Sequence, residues 1–212
     1  RESADGVHVA GILRLVPTAT STSLLIIHGE KGFLVALNQS GVALTPTPAI
    51  GFRAAHLADV ALDCPVSAKD IVTVPADRTE VHRSYLAIAL GAGDYLSRRA
   101  QEHAAGRIQF PGLMLDTEGR DGIVKFGAVK ALLARVEAWR LVLDALYHAA
   151  GGTNELPPEF GPLCSTLSAL AFGPEEGCLA YDAGQVFGGF AYSEDDLLAR
   201  FYRDSSLFRF LA

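Results

Sequence analysis

Gly184–Asp204, GQVFGGFAYSEDDLLARFYRD, joins a double glycine to a helix start and an Arg-Asp pair, and the rest of the chain is read outward from it. Gly188 and Gly189 carry no Cβ, so the chain can turn sharply there, or another backbone or a ligand can come close. Ser193 followed by Asp196 has capping-box spacing, which predicts a helix from near Glu194 through Leu197, Leu198 and Phe201. On the other side, Glu175–Phe187 and Leu163–Phe172 read as two further helices. Taken alone, Phe187-Gly188-Gly189 is a turn between helices.

Further toward the N-terminus, Val129, Leu132, Leu133, Val136, Trp139, Leu143, Leu146 and Tyr147 recur at spacings of three and four, predicting a helix over Phe126–Ala150 that ends at Gly151-Gly152. Trp139 and His148 read as core or interface. Another helix follows Pro75, capped by Asp77 or Thr79 and ending before Gly106; its apolar face is Tyr85, Leu86, Ala89, Leu90, Gly93, Leu96 and Ala100. Gly91 and Gly93 inside it cost roughly 1 kcal/mol each relative to alanine, which calls for close helix packing or a ligand. From Val7 to Asp63 the signals are those of antiparallel strands: Val7-His8-Val9, Ile12–Val16, Leu24–Ile27, Phe33–Leu37 and Val60–Leu62, punctuated by glycine and proline. The fold class is therefore α+β, with an antiparallel β portion over residues 1–75 and an all-α bundle of four to five helices over 76–212.

With 212 residues, 50% hydrophobic and 20% charged, the chain suffices for one or two globular domains. A net charge of −6, with Lys and Arg scattered, provides no footprint for nucleic acid. Cys64, Cys164 and Cys178 are an odd number without metal-site spacing, which points to buried thiols in a reducing compartment and a cytoplasmic location. His8, His28 and His56 fall at unrelated spacings and read as surface or strand-edge residues. Gly32–Phe52 lacks charge, yet Asn38, Gln39, Ser40 and two prolines interrupt it, so it is no membrane span. No signal peptide is evident.

The string Gln185-Val186-Phe187-Gly188-Gly189, followed by Tyr192 and by Tyr202-Arg203-Asp204, resembles the C-terminal helical domain of the acyl-CoA dehydrogenase flavoproteins. Arg107-Ile108-Gln109-Phe110 resembles the family's Arg-x-x-Phe segment at the end of a long helix. Gly51-Phe52-Arg53, leading into Ala58–Val66, resembles the end of its middle β-domain. The three stand in family order. The resemblance implies that 1–75 is part of the middle β-domain and 76–212 the C-terminal bundle. It also implies that family members carry a helical domain and the first β-strands ahead of Arg1, making this chain a fragment, a processing product or half of a split enzyme.

The same resemblance implies FAD as cofactor, an acyl-CoA or acyl-carrier thioester as substrate, and electron-transfer flavoprotein as a possible acceptor. Arg107, Gln109 and Phe110 match positions that reach across a dimer interface toward the neighbour's FAD, and Gln185, Gly188 and Gly189 join them at the cofactor. A guanidinium is a fixed fork of donors suited to phosphate oxygens. Read without the resemblance, Arg107 complements a helix C-terminal dipole. His82 falls where many members carry an Arg near the acyl-CoA. Glu80 adjoins Val81, the position from which the isovaleryl- and long-chain branches supply the catalytic base; the other reading is a first-turn Glu favoured by the helix dipole. Several positions depart from the family. Its flavin-side Trp and Thr align with Leu15 and Pro17, the base of medium-chain relatives falls on Ala212, and Pro111 opens an altered, lengthened loop to Val124.

Three functions follow. The first is an acyl-CoA dehydrogenase-like fragment or subunit carrying out FAD-dependent α,β-oxidation of an acyl thioester, as a homodimer, a tetramer or a hetero-oligomer with a related subunit. The second is a non-catalytic subunit that completes a partner's FAD site. The third is a structural module without cofactor.

Overall fold

The computed structural model describes residues 2, 3, 6–18, 21–49, 53–74, 79–108, 122–151, 157, 159–193 and 197–205. The chain divides into two compact units, Arg1–Asp77 and Arg78–Ala212.

The first unit contains strands β1 (Glu2–Ser3), β2 (Gly6–Pro17), β3 (Ser23–His28), β4 (Lys31–Ala36), β5 (Val42–Pro46), β6 (Leu57–Ser67) and β7 (Ile71–Thr73). They form two antiparallel sheets, ordered β1-β2-β6-β5 and β3-β4-β7. Along β6, Ala58, Val60, Leu62, Cys64 and Val66 are buried while Ala61, Asp63, Pro65 and Ser67 are exposed, the period-2 pattern of a strand covered on one face. Val60, Leu62, Cys64 and Val66 meet Phe33 and Val35 of β4 in the core of the unit. Each of the Val, Leu and Phe side chains among them contributes about 1.5–3 kcal/mol by leaving water.

The two short runs expected over Val7–Val9 and Ile12–Val16 form one 12-residue strand, because β6 pairs with it from Ser67 to Leu57. The strands β5 and β7, five and three residues long, are too short for a period to show; pairing to β6 and β4 defines them. Pro46 ends β5 at the edge of its sheet, where a missing N–H is tolerated. His8 is exposed, its Nε2 2.7 Å from Asp63, and His28 and His56 are exposed as well. The Gly51-Phe52 pair lies outside the described residues, as do Pro75 and Asp77.

In the second unit lie α1 (Thr79–Gly106), α2 (Gly127–Gly151), α3 (Phe160–Ala171), α4 (Leu179–Phe187) and α5 (Leu197–Ser205). Their core joins Leu86, Leu96, Val136, Leu143, Phe172, Leu179, Phe187 and Leu198. The glycines of α1 divide by role. A Cβ on Gly93 would stand 3.3 Å from methyls of Leu143 and Leu179, so α2 and α4 approach α1 there, whereas a Cβ on Gly91 would meet nothing within 4 Å. The helix expected from Glu175 begins only at Leu179. Gly177 takes φ +92°, and the Cys178 N–H closes a turn on the Glu175 carbonyl at 3.1 Å, so the chain cannot enter the helix earlier. All three cysteines are buried free thiols. Among the described residues no helix is long and apolar enough to cross a membrane, and no three His, Cys, Asp or Glu side chains are grouped to hold a metal ion.

Candidate functional site

The buried helix α4 presents one exposed side chain, Gln185; Leu179, Ala180, Asp182, Ala183, Gly184, Val186 and Phe187 are all buried. Gly188 ends it with φ +59° and ψ −131°, a combination outside the left-handed basin open to side chains. From there the chain enters a 3₁₀ turn, Gly188–Tyr192.

Arg107, at the end of α1, stands against this turn. Its Nη1 donates to the Phe187 carbonyl at 3.1 Å, which neutralises an orphan acceptor at the negative end of α4. Its own carbonyl accepts the Ile123 N–H at 2.8 Å, and its guanidinium carbon lies 5.6 Å from the centre of the Phe190 ring. One turn earlier on α1, His103 stacks on Phe187 with centroids 4.3 Å apart. The outcome is a cationic and aromatic corner whose outer face holds Phe190, 59% exposed, and Gly189, where a Cβ would meet no atom within 4 Å. A guanidinium fork, backbone bare of side chains and an open aromatic ring together suit a phosphate-bearing aromatic group. The structure thus brings together Arg107, Gly188 and Gly189, with Gln185 one turn away on α4. Gln109 and Phe110 lie outside the described residues.

Glu80 and His82 occupy the opposite end of α1, about 40 Å from Arg107 at 1.5 Å of rise per residue. The Glu80 side chain is 82% exposed and pairs with Arg83 at 2.6 Å; Arg83 also donates to the Ala150 carbonyl at 2.8 Å. The His82 ring fills the space that a side chain on Gly161 would need, with Nδ1 3.4 Å from Ser165 Oγ, so α3 seats it. Within the first unit, Leu15 has φ +56° at a break in the β2–β6 register. Asp59 holds that bulge, accepting from the Leu15 N–H and from Arg14, both at 3.2 Å. Leu15 is 50% exposed. Ala212 and Pro111 lie outside the described residues.

Sequence reading passed over His103, Phe190 and the pair Arg135–Asp182. A signal existed for two of them. His103 sits four residues before Arg107 and so shares its helix face, and Asp182 is a lone carboxylate inside the apolar run Leu179–Phe187.

A β-sheet unit followed by an all-α unit, with a glycine turn set against the arginine that ends a long helix, defines the class: the fold is that of the acyl-CoA dehydrogenases. The glutaryl-CoA dehydrogenase of Mycobacterium smegmatis is similar over 98% of this chain and 55% of its own, with TM-score 0.75 and 17% identity. A chain of the ChsE4–ChsE5 complex of Mycobacterium tuberculosis is similar over 99% of this chain and 57% of its own length, with TM-score 0.75 and 21% identity. The prolyl acyl carrier protein oxidase AnaB is similar over 99% and 58%, with TM-score 0.71 and 18% identity. This chain spans a little over half the length of those structures. No family model and no curated protein matches its sequence.

Proposed function

We propose that this chain is a part or subunit of an acyl-CoA dehydrogenase-like flavoprotein performing FAD-dependent α,β-oxidation of an acyl thioester in cytoplasmic lipid metabolism. Residues 1–75 then belong to its middle β-domain and 76–212 to its C-terminal helical bundle. The observation that carries this reading is the guanidinium of Arg107 set 3.1 Å from the Phe187 carbonyl beside Gly188. Arg107, Gly188, Gly189 and Gln185, with Gln109 and Phe110, hold the FAD of a neighbouring subunit through its phosphates and adenosine, in a homodimer, a tetramer or a hetero-oligomer. When bound, the flavin supplies a hydride acceptor. The chain's own residues bind its anionic backbone and keep the glycine turn clear for it. His82 stands at the acyl-CoA, and Glu80, released from Arg83, is the candidate within this chain for the base that takes the α-proton; otherwise a partner chain supplies the base.

The similar structures named above include a dehydrogenase for a CoA thioester and an oxidase for a carrier-protein substrate, so either thioester class fits, with electron-transfer flavoprotein as acceptor. A second reading, a non-catalytic subunit completing a partner's FAD site, is favoured by the exposed, Arg83-paired Glu80 and by Leu15 and Pro17 in place of the aromatic and hydroxyl groups. Two-chain assembly has a parallel in the ChsE4–ChsE5 complex.

The test is the visible spectrum of the protein after FAD addition and removal of excess, together with its mass in solution. A flavin spectrum in a dimer or larger assembly, weakened by Arg107→Ala, supports the first reading. A colourless protein of any mass refutes FAD retention by this chain and moves the search to its partner.

A further inference from the structure

The helix α4 is nine residues long, too short to be stable without tertiary contacts, yet it carries the exposed Gln185 and ends in the Gly188 turn. Two arginines from different helices grip it. Arg107 holds the carboxyl end, and Arg135 of α2 holds the amino end through Asp182. Asp182 is 0% exposed; Arg135 Nε lies 2.6 Å from its Oδ2 and Nη2 3.0 Å from its Oδ1. The Gly177 N–H donates to the same Oδ1 at 3.3 Å, and the Gly177 carbonyl accepts from Trp139 Nε1 at 2.7 Å. Trp139 lies one turn beyond Arg135 on α2, so one helix face supplies both grips.

We infer that Arg135 and Asp182 are a positioning pair that sets the rotation and register of α4, and thereby presents Gln185 and the Gly188–Gly189 turn to the cofactor; this rests on the FAD reading above. Asp182 is fully buried while the Arg135 side chain is 40% exposed; a carboxylate taken out of water carries a desolvation cost that its partner must offset, so the pair is a poor device for stability alone. A two-point fork defines direction as well as distance. Slippage of α4 by one residue would rotate Gln185 by about 100°, into the core.

Three variants test this: Asp182→Asn, Arg135→Lys, and the apolar double replacement Arg135→Met with Asp182→Leu. Each is measured for urea midpoint, for amide exchange at Gly188 referenced to Leu96 in α1, and for FAD affinity by fluorescence titration. The single variants are expected to exchange at Gly188 about tenfold faster and to bind FAD about tenfold more weakly, as loss of one charge-assisted hydrogen bond implies. The double variant is expected to recover the urea midpoint without recovering either Gly188 protection or FAD affinity. Full recovery of all three by the double variant would reduce the pair to a stabilising contact and overturn the inference, as would wild-type exchange at Gly188 in the single variants. If the unmodified protein takes up no FAD while Gly188 exchange still responds, the cofactor reading fails and the positioning of the turn stands.

Discussion

Replacing Gly188 and Gly189 one at a time by alanine separates what the fold needs from what a ligand needs. Gly188 has φ +59° and ψ −131°, and an alanine forced to stay there costs about 2–3 kcal/mol. The new Cβ would lie 3.5 Å from Arg107 Nη1, an ordinary contact, so backbone strain supplies nearly all of that cost. At roughly 3 °C per kcal/mol, thermal unfolding of the helical unit should fall by about 6–9 °C, read by far-UV circular dichroism. Gly189 has no positive φ and open space around it. Its alanine variant should unfold at or above the wild-type temperature, gaining up to about 1 kcal/mol from a stiffer unfolded chain. FAD affinity should nevertheless fall in the Gly189 variant, because the added methyl stands where the cofactor's backbone approach is open. Equal melting temperatures for Gly188→Ala and wild type would refute the backbone reasoning, and undiminished FAD affinity in Gly189→Ala would remove the double glycine from the site.

Leu143→Ala empties a fully buried position between α2 and Gly93 of α1 and should cost about 2–5 kcal/mol, seen as a lower urea midpoint. Burial pushes the Cys164 thiol above its ordinary value, so the folded chain holds that proton more tightly than the unfolded one. Its contribution to stability is complete below the unfolded thiol's pKa and is lost as pH rises through the folded one; Cys164→Ala should flatten that alkaline decline in urea midpoint. Glu80→Gln should abolish turnover of any thioester substrate the protein oxidises while leaving FAD affinity unchanged, and full turnover would exclude Glu80 as the base. Arg107→Ala should weaken FAD retention without lowering the melting temperature as far as Gly188→Ala, a comparison available from the same two assays.

Helices α1 and α2 were legible because their apolar residues repeat at the helical period over many turns, and the motif Gln185–Gly189 was legible because glycine pairs punctuate a chain by local sterics alone. Of strand β6, only the run Val60–Leu62 was legible; its full length, Leu57–Ser67, comes from pairing with β2 and β5. Short elements were not: β5 and β7 exist because β6 and β4 offer them hydrogen bonds, and α4 starts late because Gly177 takes a left-handed turn. The site divides in the same way. Arg107, Gly188 and Gly189 stand out as residue types suited to a phosphate, yet their meeting across the long interval from α1 to α4 is a product of helix packing. Glu80 and His82 lie in the first turn of α1 and Arg107 follows its last residue, so the length of one helix separates them. The residue pattern along the chain determined the long helices and which side chains could bind an anion, since propensity and periodicity act locally. Only the tertiary structure decided that Arg135 clamps Asp182 and that Arg107 caps α4, because those partners lie 47 and 80 residues apart in sequence and meet only when α1, α2 and α4 pack, which buries the Asp182 carboxylate beside a guanidinium that stays partly exposed.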